Sequence, residues 1–240
     1  MAPQTRGVFR GPAAYAARTP WRPYPALAAA AALLLMHFGC VWALGLALDR
    51  PCAVAISLIL QVSLILGAST LFGGNPRDAL ALRPPAGGWR AYMAAILFTP
   101  ALVGYVVFVI VLIVLRAAGH SASLPPVYDP FFFLEGSEWV LWVAVAGLLV
   151  PLREELLFRG FLLPALAQSR LGYWGAAVVV AAAWAALHGS LLALAPVLFI
   201  GLLLAWLLWR TGSLYMPILC HTAQNLLVVL APLLGLPGVG

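Results

Sequence analysis

Lysine is absent from this chain, and charge of either sign is scarce, with only 8% of the 240 residues charged. A soluble domain carries about 25% charged residues and about 45–50% apolar ones. Here 64% are hydrophobic, and the mean hydropathy is +1.03. A soluble core of this size has no use for so much apolar surface, so the surrounding solvent must be lipid. Only three cysteines occur, Cys40, Cys52 and Cys220. They form no CxxC pair and no zinc-ribbon spacing, which excludes a disulfide scaffold and a zinc-ribbon fold. An HExxH helix is missing as well. So is the apolar/polar alternation of a membrane barrel, and open sheet edges do not survive in lipid. The net charge of +6 comes entirely from arginine. Those arginines are scattered singly between apolar spans, so no nucleic-acid partner is expected.

What is present is a series of long apolar runs. A membrane helix needs about 20 mostly apolar residues. The runs are Ala26–Leu48, Ala53–Phe72, Tyr92–Leu115, Trp139–Ala167, Trp174–His188, Leu191–Trp209 and Met216–Leu234. They predict an all-α protein, a polytopic transmembrane helical bundle with about seven to eight membrane helices. The count is open because Trp139–Ala167 is too long for one upright span and contains Pro151 and Pro164, so it is expected to tilt or break. The first run is too long for a signal-peptide core of about 7–15 residues and is read as a retained helix. The organisation expected is a polar cytoplasmic tail over residues 1–25, then a single transmembrane domain over residues 26–236. Within it, the chemistry concentrates at about residues 139–230.

Loop arginines set the orientation. With the N-terminus inside, nine fall in inside loops (Arg6, Arg10, Arg18, Arg22, Arg77, Arg83, Arg90, Arg170, Arg210) and two outside (Arg50, Arg116). A cytoplasmic N-terminus and, with seven spans, an external C-terminus are therefore expected.

Two arginines remain, Arg153 and Arg159, and they flank Glu154 and Glu155 inside the fourth run. Each such group costs about 2.5–3.5 kcal/mol at mid-membrane if unpaired. Glu155 lies one turn before Arg159, the favoured order for an ion pair. Glu154 points about 100° away around the helix. One carboxylate is thus expected to be neutralised and the other left facing a cavity. Further along, Trp184 precedes His188 by four residues, and His221 and Asn225 share one helix face. Taken singly, each of these is ordinary, because His and Asn often just hydrogen-bond neighbouring helices. Their depths coincide, however. Glu154 and His188 each lie seventeen residues from the turn at Leu171, about 25 Å along antiparallel neighbours. Asn225 lies thirteen residues past Gly212, about 20 Å along its own helix. His37 has no polar companion nearby in sequence and His120 falls in a loop, so both are read as non-catalytic.

These residues resemble a known family. Glu154-Glu155-Leu156-Leu157-Phe158-Arg159-Gly160 is similar to the first motif of the CPBP (CAAX protease and bacteriocin-processing, or Abi) intramembrane proteases. Trp184 to His188 resembles the second motif. The stretch from Gly201 through Arg210-Thr211-Gly212-Ser213-Leu214 to His221 and Asn225 resembles the third. The resemblance covers about a third of the chain and includes the type II CAAX prenyl endopeptidase. It implies an intramembrane endopeptidase acting on a membrane-associated or lipidated peptide or protein. In that reading Glu154 activates water, His188 helps to hold it, His221 and Asn225 stabilise the oxyanion, and Glu155 and Arg159 support them. Cofactors are either none or one divalent metal, zinc being the ion implied, with Glu154, His188 and His221 as its candidate ligands. The implied location is the bacterial inner (cytoplasmic) membrane. Two rival classes remain: a non-catalytic scaffold or bacteriocin self-immunity protein, and a transporter, against which stands the absence of an inverted repeat.

Overall fold

A computed structural model describes residues 15, 19–73, 75–85, 88–89, 93, 97, 114–115, 117–119, 137–189 and 191–230. Every regular element among them is helical. The elements are α1 (Pro23–Leu44), α2 (Arg50–Gly73), a single turn α3 (Pro76–Ala79), α4 (residues 137–167), α5 (Gly172–Ala186), α6 (Leu191–Thr211) and α7 (Tyr215–Leu230). Three helices, Pro23–Leu44, Arg50–Phe72 and Leu194–Thr211, are long and apolar enough to cross a membrane, and α5 and α7 are shorter apolar helices. The expected span Tyr92–Leu115 lies almost wholly outside the described residues. Large apolar side chains such as Leu35, Phe38, Trp42, Ile59, Leu71 and Phe72 are exposed on α1 and α2. Contiguous apolar surface of this kind belongs against lipid, and the chain is an integral membrane protein.

The fourth run does not break. Helix α4 continues through both prolines by widening into π-helical turns at Val145–Leu149 and Glu155–Leu162. Each wide stretch ends two residues before a proline, Pro151 or Pro164. Proline lacks an N–H and its ring collides with the carbonyl four residues back. A π turn shifts the hydrogen-bond register by one residue and relieves that collision. In both cases the residue four back is a glycine, Gly147 or Gly160. Gly147 also permits close approach of α7, since a β-carbon there would collide with Leu226 Cδ2.

The core forms around the second half of α4, whose residues 155–166 are all buried. Leu156, Leu157, Phe158 and Leu163 meet Ala176, Val180 and Trp184 of α5, Leu204 and Leu208 of α6, and Cys220 of α7. Two tethers hold the chain ends of this core. Trp21 Nε1 donates to the Phe161 carbonyl at 2.9 Å. The buried turn between α6 and α7 is clasped by the segment after α3. There the Leu214 N–H reaches the Ala81 carbonyl at 2.9 Å, Ser213 Oγ donates to the Arg83 carbonyl, and Arg83 Nε donates to the Gly212 carbonyl at 2.9 Å. Gly212 has φ +66°, a conformation that side chains rarely tolerate, which accounts for the glycine in the Arg-Thr-Gly-Ser-Leu turn.

Candidate active site

The wide turn at Glu155–Leu162 carries a fully enclosed ionic network. Arg159 Nη1 donates to Glu155 Oε1 at 2.8 Å, the i,i+4 pair that the spacing predicts. His221 Nδ1 lies 2.9 Å from the same oxygen. A carboxylate oxygen only accepts, so Nδ1 carries the hydrogen and Nε2 of a neutral His221 is left with a lone pair. Arg159 also donates through Nη2 to the Gly201 carbonyl at 3.3 Å, and its guanidinium lies 4.5 Å over the Trp184 ring. Gly201 makes this possible, because a β-carbon there would meet Ala181 Cβ at 2.8 Å and Arg159 Nη2 at 3.3 Å. Arg159 and Glu155 are 1% and 0% exposed. Solvent therefore does not compensate their charges; the network does.

Glu154 stands apart from that network. Its Oε2 accepts the Trp184 indole N–H at 2.6 Å and lies 4.0 Å from His221 Nε2. That separation is too long for a direct hydrogen bond. A water about 2.8 Å from both atoms would complete a triangle with them. Oε1 of Glu154 takes no hydrogen bond from the described residues, and the side chain is 15% exposed. Glu154 is the partly exposed carboxylate of the pair, where Glu155 is wholly enclosed.

His188 and Asn225 are held close by, each through the backbone. His188 follows the end of α5, with Nδ1 2.9 Å from the Trp184 carbonyl and its ring edge-on to the Trp184 ring at 5.0 Å. The carbonyl acceptor fixes the hydrogen on Nδ1, which leaves Nε2 as an acceptor. No hydrogen bond joins His188 to Glu154; Trp184, one turn earlier, makes that contact. Asn225 Nδ2 donates to the Ala146 carbonyl at 2.9 Å, which leaves its second amide hydrogen unassigned.

Among the described residues, no group of three His, Cys, Asp or Glu side chains is arranged to hold a metal ion. His221 is held through Nδ1 and Glu154 through Oε2, which leaves His221 Nε2, His188 Nε2 and Glu154 Oε1 as the donor atoms such an ion would use, but as placed these three side chains are not gathered round one point.

His37 has no polar companion nearby in sequence but does have companions on α2. Its Nδ1 lies 3.0 Å from Ser57 Oγ and 3.1 Å from Gln61 Nε2, and Arg153 and Glu154 are within its electrostatic reach. Contacts between α1 and α2 of this kind leave no local pattern in the sequence. His120 lies outside the described residues. Two further contributors went unassigned in the sequence. The indole of Trp184 was visible only as an aromatic four residues before His188, and the backbone carbonyl of Gly201 has no sequence signal at all.

Residues 136–227 match the Rce1-like family, the type II CAAX prenyl endopeptidases. The match runs from the start of α4 into α7 and takes in Glu154, Glu155, Arg159, Trp184, His188, His221 and Asn225. The resemblance carried by the three motifs therefore holds across that segment, whereas α1 and α2 lie outside it. No curated protein and no solved structure matches the chain.

Proposed function

We propose that this chain is an intramembrane endopeptidase that cuts a membrane-associated, lipidated peptide or protein, with Glu154 as general base for the attacking water. The observation that carries the reading is the division of labour between the two carboxylates. Glu155 is spent on Arg159 and His221. Glu154 keeps one oxygen without a hydrogen bond from the described residues on a side chain that is partly exposed, within a segment similar to prenyl endopeptidases. A water donating to Glu154 and to His221 Nε2 turns its lone pair outward, toward an entering carbonyl. Glu154 takes its proton as the C–O bond forms and passes it to the leaving amine. The unassigned Asn225 N–H then supplies a donor for the tetrahedral oxyanion, while His221 Nε2 stays turned to the attacking oxygen. The catalytic core is residues 139–230, in a bacterial inner membrane with the N-terminus cytoplasmic.

The test is the purified chain in liposomes with a prenylated fluorogenic peptide. Glu154→Gln keeps the shape but cannot take a proton, so turnover is expected to fall about 10²–10⁴-fold at unchanged thermal stability. With Glu154 as the base and no metal in the reaction, a chelator is expected to leave the rate intact. Full activity in Glu154→Gln would overturn the base assignment; equimolar zinc lost together with activity would overturn the metal-free form.

A further inference from the structure

Helix α2 buries a polar patch that the described residues do not fully satisfy. Ser57 and Gln61 are both completely buried. They stand one turn apart on the face of α2 that also carries Leu58 and Ile65. That face packs on α4. Leu58 meets Trp142 and Val145, Ile65 joins the core that holds Leu156 and Leu157, and α2 contacts both wide turns of α4 and the stretch between them. The half-buried His37 of α1 reaches the same patch. Its charged neighbours are Arg153 and Glu154 of α4, where Arg153 faces Glu154 as its counter-charge.

The hydrogen bonds of the patch leave an acceptor and donors over. Gln61 Nε2 donates to the Ser57 carbonyl at 3.3 Å. That bond settles the orientation of the amide, because the reverse would set two acceptors face to face. Gln61 Oε1 is then enclosed with no partner among the described residues. Gln61 Nε2 also lies 3.1 Å from His37 Nδ1. An amide nitrogen cannot accept, so Nδ1 does, and Nε2 of the neutral ring carries the hydrogen. On α4, the Nε of Arg153 is likewise enclosed and without a hydrogen-bond partner among the described residues. Polar side chains that merely join membrane helices bond to one another across the interface. Here a wholly buried amide oxygen does not, and such a group is costly unless something bonds it. Water is the ligand that accepts and donates at once, and a buried one makes about three hydrogen bonds to groups of this kind.

We propose that the patch between α1, α2 and α4 binds a buried water that replenishes the hydrolytic water at Glu154. The bound water donates to Gln61 Oε1 and accepts from the N–H groups of His37 and Arg153. Hydrolysis consumes one water for every peptide bond cut. A lipidated substrate seated against the partly exposed Glu154 covers the side from which solvent would come, whereas a water held on the α1–α2 side stays in place while the substrate is bound. The supply role rests on the proteolytic reading above; the hydration site does not. His37, Ser57 and Gln61 all lie outside residues 136–227, the segment similar to prenyl endopeptidases, so the site is a contribution of the N-terminal helices.

The test has two arms, both on the full chain in liposomes. In the first, brief X-ray radiolysis in heavy-oxygen water turns a bound water into hydroxyl radicals that label the side chains beside it, read by mass spectrometry. Leu58 and Ile65 are expected to take label well above Leu204 and Leu208, which are as deeply enclosed. The label should vanish in Gln61→Met, which keeps the shape of the side chain and removes its polar atoms. In the second arm, Gln61→Met is expected to lower kcat on a prenylated fluorogenic peptide about 10-fold, the weight of one hydrogen bond. KM and the melting temperature should not change, because an apolar group of the same shape is nearly neutral where a polar one was unmet. Gln61→Asn, which keeps an amide, should retain part of both label and rate. Label on Leu58 and Ile65 no stronger than on Leu204 and Leu208 would overturn the site, and this arm needs no variant to fold. Unchanged kcat in Gln61→Met would overturn the supply role, and a lower melting temperature beside it would make the patch a helix contact only. Label in a chain that cleaves no peptide would keep the hydration site and remove the protease.

Discussion

The side-chain amide of Asn225 serves the Ala146 carbonyl at 2.9 Å, a carbonyl that Pro151 leaves without a backbone donor. In the π turn, the Val150 N–H bonds to Val145 O. The next bond in that register would run from residue 151 to residue 146, and residue 151 has no N–H. Asn225 therefore carries a structural duty alongside any catalytic one. Asn225→Ala should lose about 1–3 kcal/mol of stability from the stranded carbonyl and, as an oxyanion donor, about 10²–10³-fold in rate. Pro151→Ala combined with Asn225→Ala should recover stability without recovering rate. Thermal melts and turnover on the four members of the cycle check this; rate recovery in the double variant would reduce Asn225 to a structural part.

Arg159→Ala should unfold the core rather than merely slow the reaction. It removes the bonds to Glu155 and Gly201 and leaves Glu155, already with an unpartnered Oε2, facing His221 alone. Breaking a buried pair costs about 3–5 kcal/mol. A normal melting temperature and normal protein level in the variant would contradict the pairing.

Trp184→Phe keeps an aromatic ring under Arg159 but deletes the indole donor to Glu154 Oε2. A hydrogen bond to a charged group is worth about 1.5–3 kcal/mol, so kcat should drop roughly 10- to 100-fold with KM little changed. A change confined to KM would place Trp184 in substrate binding instead.

Reporter fusions should find the N-terminus in the cytoplasm and the C-terminus outside, from the nine-to-two arginine split. A cytoplasmic C-terminus would require an eighth span, which the unbroken helix over residues 137–167 does not supply.

What could be read from the sequence was whatever short-range periodicity encodes. The Glu155–Arg159 pair followed from one helical turn, and the common depth of α4, α5 and α7 followed from counting residues away from two turns. Hidden were features set by contacts between helices. The one-residue slip of a π turn changes which side chains align, and the contact with Glu154 is made by Trp184. His37 looked isolated because Ser57 and Gln61 stand twenty and twenty-four positions away. Arg153 read as part of a neutral foursome, since formal charge does not say which cation each carboxylate chooses.

The clasp between residues 81–83 and the turn at 212–214 makes the family-like segment dependent on chain that precedes it. The position of His221, seven residues beyond Ser213's partner-bearing turn at Leu214, is referenced to Ala81 and Arg83, while the wide turn of α4 takes the Trp21 indole at Phe161. A fragment confined to residues 136–227 would uncover the carbonyl of Phe161 and the buried α6–α7 turn at once. The catalytic half is therefore not a portable module: grafting it into another membrane protein would require transplanting its N-terminal scaffold with it.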